Sequence, residues 1–250
     1  MADAYQADRS WRGKLRRRTV RLAARRPARA PERPMISFSF DDAPASAAEN
    51  GARILEERGM RGSYYIAAAL AGTDAPTGRM ADKADVAGLA DAGHEIGCHT
   101  YTHLDCGQAC VASAVEDVAL NAQTLAAWGL PQPTTFAYPY GDVAPATKKV
   151  LAGRFSLLRA LHPGLVTAGT DLNQAPSVPV DAANDEANAL AWIQRASGRR
   201  AWLIFCLHDV AKQPSEWGCT PDTLARLADA ALAAGFETVT VAEGARRLAS

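Results

Sequence analysis

Apolar positions recur along this chain with two alternating periods. Short runs of period-two or continuous apolar character, the first being Met35-Ile-Ser-Phe-Ser-Phe40, alternate with longer stretches whose apolar residues fall at helical spacing. The pattern predicts strands over 35–40, 62–67, 95–98, 134–137, 156–159, 201–207 and 237–241, and helices over 45–58, 84–92, 109–128, 185–195 and 223–234. Gly59, Gly93, Gly129 and Gly235 follow four of those helices, where a left-handed residue ends the turn. Alternation of this kind implies an α/β fold with a parallel sheet, open or closed into a barrel, in a single domain over residues 35–250.

Residues 1–34 stand apart. The segment 11–26 (WRGKLRRRTVRLAARR) puts Trp11, Leu15, Thr19 and Leu22 at roughly helical spacing among arginines, which predicts a short basic amphipathic helix. It reads either as a solvated or self-docked arm, or as a peripheral contact with anionic lipid or a partner protein. Pro27, Pro31 and Pro34 end any helix, so the arm is expected to be separable from the body and dispensable for chemistry.

The 250 residues are 48% hydrophobic and 22% charged, which excludes a disordered or collagen-like chain. A formal net charge of zero hides an asymmetry: residues 1–34 hold eleven basic and three acidic side chains, +8, and the remainder is −8. The acidic body does not suit nucleic acid. The longest uncharged stretch, 118–141, contains Asn121, Gln123, Gln132 and three prolines, so no membrane-spanning helix is expected. The Arg-dense start lacks the apolar run of a secretory leader, and the five cysteines are an odd number. Both point to the cytoplasm, with peripheral contact at the inner membrane left open through the arm.

In parallel α/β folds ligands bind where strands end, which selects four groups. The first strand runs into Asp41-Asp42, the third into His99 and His103, the fourth into Tyr138-Pro-Tyr140-Gly141, and 201–207 into His208-Asp209. Asp41 shares a strand face with Ser37 and Ser39, while Asp42 shares the other with Phe38 and Phe40, so the two carboxylates can take different roles. His99 and His103, four apart, would be neighbours on one helical face at a spacing suited to one metal ion. Two imidazoles and one carboxylate leave positions open for water, as in catalytic zinc sites.

Ser39-Phe-Asp-Asp-Ala43, His99-Thr-Tyr-Thr-His103, Phe136-Ala-Tyr-Pro-Tyr-Gly141 and Leu207-His-Asp209 resemble, in order and spacing, the motifs of the NodB-type polysaccharide deacetylases, carbohydrate esterase family four. The resemblance covers residues 35–245. It implies a distorted (β/α)7 barrel and metal-dependent hydrolysis of N-acetyl groups on amino sugars. It also implies Asp42, His99 and His103 as ligands of one divalent ion, Zn2+ being the expected one, Asp41 as general base, His208 as general acid and the Tyr140 backbone N–H as an oxyanion donor. No organic cofactor is implied.

Two departures alter details. Many members carry Arg where Ala137 stands, to orient the base; Arg159, at the end of the next expected strand, is the candidate replacement, the alternative being a solvated or helix-capping arginine. Many carry Leu where Cys206 stands, lining the acetyl pocket. The Asp that orients the general acid is assigned to Asp171, with a plain Asx-turn as the alternative. His94 and His162 read as structural or loop residues, Cys106 and Cys110 as thiols without a metal knuckle, and Trp217 as a sugar platform or a loop cover. The expected substrate is an N-acetylhexosamine unit of a bacterial polysaccharide or its lipid-linked precursor, with the holdfast or biofilm adhesin branch as a side possibility. The alternatives are a metal-dependent amidohydrolase on a small non-sugar amide and a carbohydrate-binding pseudoenzyme.

Overall fold

The computed structural model describes residues 10–249, the side chains of Arg12 and Lys14 excepted. In chain order the strands are β1 (Met35–Phe40), β2 (Ser63–Ile66), β3 (Asp74–Ala75), β4 (Gly78–Arg79), β5 (Glu95–Cys98), β6 (Thr135–Ala137), β7 (Leu157–Arg159), β8 (Val178–Pro179), β9 (Trp202–Leu207) and β10 (Glu237–Thr238). The helices are α1 (Trp11–Val20), α2 (Ala52–Glu56), α3 (Lys83–Asp91), α4 (Val111–Ala127), α5 (Pro145–Leu151), α6 (Glu186–Ala196), α7 (Pro221–Ala233) and α8 (Val241–Leu248).

Seven parallel strands run in the order β7-β6-β5-β2-β1-β9-β8. The first half of β1 pairs with β10 and its second half with β2, so the short β10 fills a wedge that the strand twist opens. Closure uses the segment before β8: Ala175 N–H donates to Leu158 O and Ala160 N–H to Ala175 O, both at 2.9 Å. The result is a distorted (β/α)7 barrel in a single domain.

Alternation along β1 partitions the core. Ile36, Phe38 and Phe40 pack with Leu203, Phe205 and Leu207 against the outer helices, including Leu224, Leu227 and Ile193. Ser37 and Ser39 face inward and donate to strand carbonyls, Val239 O and Phe205 O, both at 2.6 Å, so no hydroxyl is buried without a partner. Asp41 continues that inward row.

Besides adding β3, β4, β8, α5 and α8, which the pattern does not predict, the structure departs from or narrows the sequence reading in three places. The expected strand over 237–241 stops at Thr238, because Thr240 accepts from Glu243 N–H and caps α8. The expected helix over 45–58 opens with a π-helical turn, Ala47–Gly51, before α2. The described part of the basic arm takes the self-docked alternative rather than the solvated one: Val20 is buried, and buried Lys148 on α5 donates to Val20 O at 2.8 Å. The Arg26 guanidinium donates to the carbonyls of Ala152, Phe155 and Ser156, and Asn173 to Ala24 O. Most of these acceptors are backbone carbonyls, which leave no trace in a side-chain pattern. Among the described residues no helix is long and apolar enough to cross a membrane.

Candidate active site

The ends of β1, β5, β6, β7 and β9 converge on one rim of the barrel. Asp41 follows β1, its backbone N–H bonded to Leu207 O at 2.8 Å, and its side chain is buried beside the Arg159 guanidinium from the end of β7. Burial alone would raise the pKa of Asp41; Arg159, helped by His99 and His208, overrides that and holds the carboxyl well below its ordinary range. The second oxygen of Asp41 accepts from the Cys206 thiol at 3.3 Å, so Cys206 contacts the base rather than serving only as an apolar wall. Burial pushes that thiol well above its usual range, which keeps it a donor.

Arg159 is fully buried and held on three sides. Nη2 meets Asp41, Nη1 donates to Ser177 Oγ at 3.1 Å, and the guanidinium carbon lies 5.2 Å from the centroid of the Tyr65 ring. Tyr65 can lie there only because position 97 is glycine: a Cβ on Gly97 would come within 2.5 Å of the ring. Ala137, where the family's orienting arginine is expected, is the strand partner of Arg159 in the β6–β7 register.

Asp42, His99 and His103 offer ligand atoms that all lie within 4.8 Å of one another. His99 Nδ1 is 2.8 Å from Ala137 O and must donate to it, which leaves the Nε2 lone pair facing Asp42 Oδ1 at 3.5 Å; His103 Nε2 lies 3.3 Å from the same oxygen. Burial pushes the pKa of His99 down to about 4, so its imidazole is neutral near pH 7. Asp42 Oδ1 is buried and accepts no hydrogen bond. A buried carboxylate oxygen that accepts no hydrogen bond and faces two imidazole nitrogens, the His99 one with its lone pair outward, fits a cation. Ligands about 2.1 Å from a tetrahedral ion lie about 3.4 Å apart, close to the spacing seen here.

The two histidines meet through a turn rather than along a helix face, which corrects the sequence expectation. Thr100 and His103 adopt left-handed backbone at φ 62° and 59°. Asp117 on α4 clamps the turn by accepting from the Tyr101 and Thr102 N–H groups and the Thr102 hydroxyl. Asp42, Ala43 and Tyr140 are also left-handed, so five of the six such non-glycine residues among those described belong to this rim. Such clustering marks a site that backbone strain helps to shape. The Tyr140 ring packs edge-on against His103 at 4.5 Å.

His208 lies beyond β9, close enough to Asp41 to lower its pKa. Its neighbour Asp209 is buried and accepts from Ser215 N–H at 2.8 Å and Ser215 Oγ at 2.6 Å, which folds back the loop carrying half-exposed Trp217. Gly218 is required there, since a Cβ would sit 2.3 Å from the Asp209 carboxylate. Asp209 carries no sequence signal beyond its motif position, nor Asp117 beyond being a carboxylate on the next helix.

Asp171 is not brought to this cluster. Its oxygens are taken by Lys148 Nζ at 2.6 Å, Arg26 N–H at 2.8 Å and Asn173 N–H at 3.0 Å, so it caps a short turn and anchors the arm rather than orienting His208. His94 bridges Gly62 N–H and Glu56 as a structural residue.

Residues 28–153 match the family described as polysaccharide deacetylase. No curated protein sequence matches. Among solved structures, the chain is similar to the carbohydrate esterase family four domain of a multidomain xylanase from the hindgut metagenome of Trinervitermes trinervoides, at TM-score 0.61 and 17% identity over 85% of this chain and 89% of that one. It is also similar to a family 4 carbohydrate esterase from Streptomyces lividans in complex with acetate, at TM-score 0.58 and 19% identity over 87% and 97%. A family four pseudoenzyme from Bacillus anthracis aligns at TM-score 0.59 and 12% identity over 86% and 66%. At these identities the likenesses speak to fold alone.

Proposed function

We propose that this chain, which belongs to the polysaccharide deacetylase family, hydrolyses N-acetyl groups on N-acetylhexosamine units of a bacterial polysaccharide or its lipid-linked precursor. The observation that carries this reading is the orphaned Asp42 Oδ1 facing His99 and His103 beside the buried Asp41–Arg159 pair. Metal-assisted hydrolysis of an amide uses a cation site and a separate base, and these two groups of residues supply candidates for both.

A divalent ion, zinc by its donor set, would be held by Asp42, His99 and His103 and would supply Lewis acidity toward water and the acetyl carbonyl. Asp41, kept ionised by Arg159, accepts the proton of the attacking water. Arg159 and Cys206 fix the direction of that carboxylate, and backbone N–H donation at Tyr140 stabilises the oxyanion that develops on the acetyl oxygen. His208 gives a proton to the departing amine, the general-acid role that an imidazole can fill. Trp217, half-exposed on the loop that Asp209 folds back, offers a face on which a sugar ring can stack. The five free cysteines suit a reducing, cytoplasmic setting.

The test is acetate release from N-acetylglucosamine oligomers by the metal-loaded protein and by Asp41→Asn. The variant should keep its metal and lose about 10²- to 10⁴-fold in turnover. Full turnover in the variant would place the base elsewhere. Sugar binding without acetate release by the native chain would favour a pseudoenzyme, and release only from small non-sugar amides would favour the amidohydrolase reading.

A further inference from the structure

We propose that α1 and the turn after it form a membrane-contact element that seats the mouth of the site beside an anionic lipid surface. That the molecule delivered there is a lipid-linked saccharide rests on the deacetylase reading above.

The helix presents its faces in an unusual arrangement. Gly13 and Val20 are buried against the body and Arg16 points the same way, whereas Trp11 is 68%, Leu15 52% and Leu22 77% exposed. At about 100° per residue, positions 11, 15 and 18 of α1 fall within roughly 60° of one another on a helical wheel, and Leu22 is exposed in the turn that follows. The outward stripe is therefore Trp11, Leu15 and Arg18, and Arg21, Leu22 and Arg25 are exposed after it. In water such a face leaves large apolar surface uncovered; at a lipid interface it buries Trp and Leu among acyl chains while the guanidinium groups meet phosphate. A second copy of the chain fits less well, because two such faces would oppose arginine with arginine.

The same helix is tied to the catalytic rim. Arg16 donates to Gly107 O and pairs with Asp142. Gly107 lies on the loop that follows His103, and Asp142 follows Tyr140 by two residues. The first half of α1 thus sits at the end of the barrel where the strands deliver the site, so a surface engaged by Trp11 and Leu15 lies next to the mouth.

The test is co-sedimentation of the full chain with vesicles of phosphatidylcholine alone and of phosphatidylcholine mixed with phosphatidylglycerol, at low and high salt. Binding is expected only to the anionic vesicles and should weaken with salt. Arg18→Ala with Arg21→Ala should cost about thirtyfold in vesicle affinity. Trp11→Ala with Leu15→Ala and Leu22→Ala, which keeps every charge, should cost at least about tenfold. All are exposed positions, and turnover on a soluble oligosaccharide should be unchanged in both variants.

Absence of vesicle binding, equal binding to both vesicle types, or full binding by the apolar triple variant would overturn the proposal. So would a native dimer made monomeric by the triple variant, which would assign the face to a second copy. Binding and turnover are read separately: a protein that binds vesicles but releases no acetate overturns the deacetylase reading alone.

Discussion

Replacing Arg159 with alanine removes the only guanidinium that touches Asp41 among the described residues, and the consequences follow from burial. Both partners are almost wholly shielded from water. Deleting one member of such a pair leaves a desolvated charge, at about 3–5 kcal/mol, and should lower the melting temperature by on the order of 10 °C. Burial, the largest single influence on Asp41, then acts unopposed by Arg159 and raises its pKa, so the acid limb of the rate profile moves to higher pH. Turnover should fall about 10²-fold or more as the base loses both direction and charge, while Asp42, His99 and His103 keep their metal. Arg159→Lys should recover part of the stability but less of the rate, because an ammonium restores charge without the fork. Adding Ala137→Arg to the alanine variant should restore part of the rate, since Ala137 is in register with position 159 on the neighbouring strand. The assay is acetate release with metal content measured on the same samples. Native turnover in Arg159→Ala, or a double variant no better than the single one with metal retained, would refute the reasoning.

The paired variant His99→Ala/His103→Ala should lose stoichiometric divalent metal while remaining folded; undiminished metal would reject the ligand set. Removing residues 1–24 should destabilise the barrel by about 3 kcal/mol or more, because buried Val20 and the carbonyls bonded by Lys148 and Asn173 go with them; an unchanged melting curve would show that the docked arm contributes nothing. Burial lowers the pKa of His94 from 6.5, so the stability it contributes is intact above about pH 6.5 and is lost as pH falls toward the lower folded value; His94→Gln should flatten that part of the stability profile, and an unchanged slope would assign it to another group.

The four strand-end groups were legible because their chemistry follows short apolar runs whose period is unambiguous. Asp41, Asp42, His99, His103, Tyr140 and His208 stand together on the rim for that reason. Arg159 was visible as a charge that ends such a run. The i, i+4 spacing of the histidines suggested a helix, but the left-handed residues that make the turn, Thr100 and His103, have no glycine or asparagine to announce them. Asp171 was misplaced because an Asp in a Gly-Thr-Asp-Leu-Asn loop is consistent with any local cap, and only the fold shows that Lys148 and Arg26 claim it. The contacts that decide for a self-docked arm over a solvated one were hidden for a related cause. Lys148, Arg26 and Asn173 bind main-chain oxygens, and every residue carries one, so no residue type betrays the contact.

That a guanidinium on β7 can stand in for the one the family resemblance implies on β6 follows from the geometry of a parallel sheet. Residues in register on neighbouring parallel strands stand about 4.8 Å apart and point to the same face, so two such positions can reach one point above the barrel. A guanidinium reach of several ångströms exceeds that offset, which makes the strand of origin secondary to where the fork ends. Ala137 contributes in another way: its small side chain leaves the interior to Arg159, and its carbonyl fixes the His99 ring through Nδ1. One strand position thereby orients a candidate metal ligand through its backbone, while its neighbour orients the candidate base through its side chain. If Asp41 is the base, as proposed, it needs a buried, immobilised positive charge against it, and Ser177, the Tyr65 ring and the absence of a side chain at Gly97 hold Arg159 where it supplies one.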